Sequence, residues 1–151
     1  MAWTTSLVQQ LRYYYDVTDT TTYTDDQLSR FIGFAASEIL PRLFPNTYTI
    51  DITVPSISPD PTDNPDIAAL LVLKAAQIII RQEMKPLIIT AGYAIKDDRV
   101  AINGAEALKA MKDLYKAYSD NYEKAEMAYM LGNGNIGRAI LAPYVPGSGP
   151  F

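Results

Sequence analysis

The distribution of hydrophobic and polar positions divides the chain into helical stretches separated by one alternating stretch. The densest apolar run lies between Ile67 and Ile80, where only Lys74 and Gln77 are polar. With Arg81 these two stand at i, i+3 and i+7, so they draw one narrow polar stripe along an otherwise apolar helix. A helix of that kind has to be covered on nearly every side. Asn64 as N-cap, Pro65 at the first helical position and Pro86 as a stop predict a central helix over 65–85. Its large aliphatics, Ile67, Leu70 to Leu73 and Ile78 to Ile80, each gain roughly 1.5–3 kcal/mol on full burial. Ordering the backbone costs about 1–2 kcal/mol per residue, so this helix requires partners, from the chain itself or from neighbouring chains.

Upstream, Leu7, Val8, Leu11 and Tyr14 or Tyr15 recur at helical spacing and predict a short amphipathic helix over Thr5–Asp16. The run Tyr13-Tyr14-Tyr15 is wide enough to face two directions. It reads either as one core ring with two half-exposed neighbours or as a contact between subunits, where tyrosine is favoured. A second helix opens at Thr24, where Thr24 and Gln27 form a capping box and Tyr23 can staple to Leu28. Asp25 and Asp26 fall in its first turn, where the helix dipole favours negative charge; capping explains them without a metal. Leu28, Phe31, Ile32, Ala35, Ile39 and Leu43 make its apolar face, and Pro41 and Pro45 bracket its end.

Downstream, Asn103 with Glu106 predicts a second capping box and a long helix over 104–131, roughly 40 Å in length. Leu108, Met111, Tyr115, Tyr118, Tyr122, Ala125 and Tyr129 follow a 3, 4, 3, 4 spacing, a heptad seam. Lys109–Asp113, Lys116–Asp120 and Asp120–Lys124 are i, i+4 pairs on the opposite side. Buried tyrosine hydroxyls need partners. Either a half-wet boundary between subunits or a one-domain core with the tyrosine tips at its edge provides them.

Three stretches are not helical in pattern. Tyr48 to Val54 alternates, with Ile50, Ile52 and Val54 on one face, and predicts a strand; a proline-rich arm comes next, so that 47–65 as a whole reads as an extended arm. Asp60, Asp63 and Asp66 recur in that region without the glycine and closing glutamate of a calcium loop. Tyr93 to Ile102, with Ile95, Val100 and a turn at Asp97-Asp98, predicts a small hairpin. Residues 132–151 carry five glycines and three prolines and cannot build a core, yet they hold Ile136, Ile140, Leu141, Tyr144, Val145 and Phe151. The fold class expected is therefore mainly α. It is a small bundle in a single domain, 1–131, with a short β element and an extended docking tail, 132–151.

Composition removes most chemistry. The 151 residues include no cysteine and no histidine, which excludes a disulfide framework, thiolate catalysis, common zinc sites and triads that use histidine. Gly132 to Gly137 matches G-x-G-x-x-G by letter, but it comes after a helix and leaves too little chain for a βαβ unit. Ser148, between glycines, lacks the nucleophile-elbow pattern. No carboxylate sits inside an apolar stretch, so no enzymatic activity, cofactor or metal is expected. The net charge of −4 argues against tight nucleic-acid binding, while suiting a surface that DNA passes without sticking. The opening residues lack the basic start and apolar centre of a secretory leader, and the central apolar run is too short for a ~20-residue membrane span. A soluble, intracellular protein is expected.

In its order of elements the chain resembles the head–tail connector (adaptor) proteins of tailed bacteriophages. The residues that carry the resemblance are Y-T-D-D-Q-L at Tyr23–Leu28, the apolar central helix, I-K-D-D-R-V-A-I at Ile95–Ile102, and N-G-A-E-A-L-K-A-M-K-D-L-Y-K-A-Y from Asn103. It covers roughly Tyr23 to Leu131; the arm and the tail depart from it. The resemblance implies a structural virion protein at the phage neck, assembled in the host cytoplasm. It implies a homo-oligomeric ring, typically of twelve copies, beneath the portal protein, with double-stranded DNA passing through and a stopper or tail-completion protein docking below. It brings no catalytic residues. By it, Ile136, Arg138, Ile140, Leu141, Tyr144, Val145 and Phe151 are candidates for portal docking. Tyr48, Ile50, Ile52, Val54, Tyr93, Ile95, Val100, Ile102, Tyr115, Tyr118 and Tyr122 are candidates for contacts between copies. Another neck ring component, such as a stopper or tail-completion protein, and a generic helical binding module are the alternative readings.

Overall fold

The computed structural model describes residues 2–15, 20–94 and 98–133, and is mainly helical with one small antiparallel hairpin. The helices are α1 (Ala2–Tyr15), α2 (Asp25–Leu43), α3 (Pro65–Ala94) and α4 (Asp98–Asn133). Between α2 and α3 lie β1 (Thr49–Asp51), β2 (Ser56–Ser58) and a 3-10 turn, Pro61–Asp63.

The local signals act as the sequence predicts at two starts. Thr24 Oγ1 accepts from the Gln27 N–H at 3.3 Å while Gln27 Oε1 accepts from the Thr24 N–H at 3.0 Å, closing the capping box of α2. Asn64 Oδ1 accepts from the N–H groups of Asp66 at 3.0 Å and Ile67 at 3.4 Å, capping α3. On α2, Leu28, Ile32, Ala35, Ala36 and Ile39 are buried and Phe31 and Leu43 are half-buried. Tyr23 meets Phe31 edge-on, with ring centroids 6.1 Å apart. Asn46, in the turn after α2, has φ of 63°, a left-handed conformation asparagine tolerates better than most residues.

Ile67, Leu70, Leu71, Val72, Ile79 and Ile80 of α3 are buried, as are Ala68, Ala75 and Ala76. This is the requirement of a helix apolar on most sides, met within the chain. Helices α1, α2 and α4 all pack on α3. Asp66 and Leu70 share a cleft with Ala125, Tyr129 and Gly132, while further along Gln77 bonds Ser119, so α4 returns antiparallel to α3. Trp3, Leu7, Val8 and Leu11 place α1 over the core. A neighbouring copy is thus not needed to cover the first half of α3.

Four sequence expectations are corrected. Pro86 does not end the central helix; α3 continues to Ala94. Proline removes one intrahelical hydrogen bond, and the long pairing with α4, with Met84 and Leu87 half-buried, outweighs that loss. The hairpin expected over Tyr93–Ile102 is not there: Tyr93 lies in α3, and Val100 and Ile102 lie in α4, while Ile95 falls outside the described residues. Asn103 consequently sits inside α4 rather than capping it. The single strand expected at Tyr48–Val54 is instead a hairpin with Thr49 opposite Ser58, Ile50 opposite Ile57 and Asp51 opposite Ser56. Its turn is set by Asp51, whose carboxylate accepts from the Thr53 hydroxyl at 2.6 Å and the Thr53 N–H at 2.8 Å, contacts that hold its pKa low.

Candidate interaction surfaces

Lys74 and Gln77 of the polar stripe of α3 turn inward, while Arg81 stays exposed. Lys74 Nζ lies 3.1 Å from Glu38 on α2 and 5.0 Å from the centroid of the Tyr122 ring on α4. Buried Gln77 donates from Nε2 to Ser119 Oγ at 3.0 Å. Arg42 donates to the Tyr122 hydroxyl at 3.1 Å and pairs with Glu126, and the Tyr122 hydroxyl donates to Glu126 at 2.7 Å. Burial, then that bond to Glu126, pushes the Tyr122 pKa up. This polar cluster ties α2, α3 and α4 together; the stripe's spacing was legible, but its partners lie far away in sequence.

A second polar junction has no sequence signal. Glu83, beyond the apolar run of α3, accepts the hydroxyls of Tyr15 at 2.6 Å and Tyr23 at 2.6 Å. Arg12 on α1 donates to the Tyr23 carbonyl at 2.8 Å and to Asp25 through Nε at 3.1 Å. These contacts fix α1, the start of α2 and the middle of α3 to one another.

The tyrosine seam of α4 is buried in register. Leu108, Met111, Tyr115, Tyr118, Ala125 and Tyr129 are half-buried and Tyr122 is 5% exposed. Tyr118 packs against the rings of Tyr14 at 5.3 Å and Tyr15 at 5.8 Å, and Tyr129 meets Phe44 at 5.8 Å. Tyr118 and Tyr122 are therefore brought together with α1 and α2 of the same chain. Tyr48 is half-buried beside Phe44, and burial raises its pKa. Ile50 packs against the core, Ile52 is half-buried in the hairpin turn, and Val54 is 64% exposed at its tip. The side chains of Tyr93, Val100 and Ile102, and all of Ile136, Arg138, Ile140, Leu141, Tyr144, Val145 and Phe151, lie outside the described residues.

Exposed apolar side chains gather where the sequence did not direct attention. On the far half of α3, Ile88 is 48% and Ile89 59% exposed, and Leu114 is exposed on α4. Among residues 81–89 of α3 none is fully buried, and only Glu83, Met84 and Leu87 are half-buried. Met127 and Met130 are exposed near the other end of α4. The signal for Ile88 and Ile89 was the Leu-Ile-Ile run after Pro86, hidden by reading that proline as a helix stop. Among the described residues, no helix is long and apolar enough to cross a membrane. Comparison with protein-family models, curated proteins and solved structures found no match.

Proposed function

We propose that the chain is a head–tail connector (adaptor) subunit of a tailed bacteriophage, one copy of a ring below the portal through which DNA passes. The observation that most supports this reading is a pair of separated exposed apolar sites, Ile88–Ile89 on the far half of α3 and Met127–Met130 near the end of α4. Two different patches on one subunit suit a heterologous, head-to-tail contact, the kind that closes into a ring when the rotation allows it. Order of elements adds partial support: a capped α2, an apolar α3 and a long α4 succeed one another, while the short hairpin that the resemblance also included gives way to helix at Val100 and Ile102.

On this reading the role is structural and non-enzymatic. By resemblance the ring holds twelve copies and sits at the virion neck. Residues 136–151 provide the portal contact, through Ile136, Ile140, Leu141 and their neighbours, and a stopper or tail-completion protein docks below. The net charge of −4 keeps passing DNA from sticking. The experiment is to mix the purified chain with the portal protein encoded in the same genome and image the mixture by negative stain. The expected result is a ring stacked on the portal. Rings that ignore the portal would reassign the chain to another layer of the neck, and a chain that never forms rings contradicts the reading.

A further inference from the structure

An apolar groove of about 600 Å³ runs between α1 and α3, walled by Tyr13, Tyr14, Ala69, Val72 and Leu73. Its polar contributors among the described residues are Gln9 and Gln10 on the rim. Tyr13 is 92% exposed beside it, although Tyr14 and Tyr15 on the same turn both stack on Tyr118. A smaller cleft between the start of α3 and the end of α4 shares Ala69 with this groove and continues it through Ala125 and Ala128 to Gly132. Asp66 stands on the wall of that cleft, and no basic side chain among the described residues pairs with it.

The chain leaves α4 one residue after Gly132, at the mouth of the cleft. The C-terminal segment, 134–151, has apolar side chains at Ile136, Ile140, Leu141, Tyr144 and Val145, and Arg138 is its only charged side chain. Pro143 and Pro146 disfavour a continuing helix. At roughly 3.3–3.6 Å per residue, the eight residues from Asn133 to Leu141 span up to about 26–29 Å. The groove lies alongside a single turn of α3, Ala69 to Leu73, a rise of about 6 Å. Reach, polarity and charge therefore agree.

We propose that residues 134–151 fold back over the end of α4 and occupy this double groove of their own subunit. Arg138 pairs with Asp66 at the mouth, and Ile140 and Leu141 cover Ala69, Leu73 and Tyr13. The proposal concerns the isolated subunit and stands whether or not the chain builds rings. In an assembly, the segment has to leave this groove before it can reach a partner.

The absence of cysteine makes the test clean. Ala142→Cys, beside the two anchors and not one of them, carries a nitroxide label, and amide signals of the isotope-labelled protein report which residues it approaches. The expected result is that signals of Tyr13, Ala69 and Leu73 lose most of their intensity at high dilution, and regain it when the label is reduced. Arg138→Glu should restore most of the intensity, and Asp66→Lys added to Arg138→Glu should abolish it again. Unaffected groove signals overturn the proposal. So does broadening seen only between a labelled copy and a separate isotope-labelled copy, which assigns the groove to a second chain's segment.

Discussion

Tyr15, at the last turn of α1, donates its hydroxyl to Oε2 of Glu83 on α3 at 2.6 Å. Tyr23 fills the other carboxylate oxygen at the same distance, so a single side chain gathers three separate parts of the chain. Removing it leaves two partly buried phenols without their acceptor. Glu83→Ala should cost about 2–3 kcal/mol, in the range of losing hydrogen bonds to a charged group. Glu83→Gln, which keeps one carbonyl oxygen, should cost less. Urea unfolding of the three proteins checks the order.

The same junction sets a pH limit. Burial first, and the hydrogen bond to Glu83 second, raise the pKa values of Tyr15 and Tyr23 above 10.0. Tyr122 is raised by burial and by Glu126. A group whose folded pKa is raised contributes stability fully present below its unfolded pKa and lost as pH rises through the folded value. Stability from these tyrosines should thus be flat between pH 7 and 9 and fall above about pH 10. Urea midpoints across that range check it, and the decline should be shallower in Tyr23→Phe.

Leu71 is fully buried on α3. Leu71→Asp places a carboxylate there with no partner, a cost large enough to unfold a domain of this size. Circular dichroism should show loss of the helical signal; a folded variant would mean that this face of α3 is not core.

Pro86 lies inside α3, eight residues before its end. Restoring the missing backbone donor with Pro86→Ala should stabilise the protein by about 1–3 kcal/mol, by the interior cost of proline. Thermal unfolding measures it, and an unchanged midpoint would place the helix end at Pro86 after all.

Caps at Thr24 and Asn64 were legible because each is a local contest between a side chain and three or four backbone N–H groups. The seam from Leu108 to Tyr129 was legible because period alone decides which side of a long helix is buried. Pro86 misled because its local penalty is small beside the packing of two long helices. Tyr93 to Ile102 misled because a short alternating run fits either strand or helix, and the α3–α4 pairing decides. Lys74 and Gln77 could be placed on one stripe, but Glu38 and Ser119, which turn those two side chains inward, come from other helices. Glu83 had no signal, since the tyrosines that meet it lie on other elements. Among the candidate contact residues, Tyr48, Ile50, Tyr118 and Tyr122 pack within the chain, whereas Val54 stays open to solvent.

Deleting 136–151 should leave the helical fold intact, since buried side chains of α1, α2 and α3 with Tyr122 of α4 form one continuous core by themselves. On the proposed connector reading the truncated protein should fail to associate with the portal; association equal to that of the full chain would remove that segment from the contact.

Native mass spectrometry of the purified chain, alone and mixed with a portal protein from the same genome, tests the proposed ring most directly. The predicted result is a closed oligomer of one fixed copy number that joins the portal and is lost in Ile88→Glu/Ile89→Glu without loss of helical signal. A chain that stays monomeric at every concentration, and stays so when the portal is added, contradicts it.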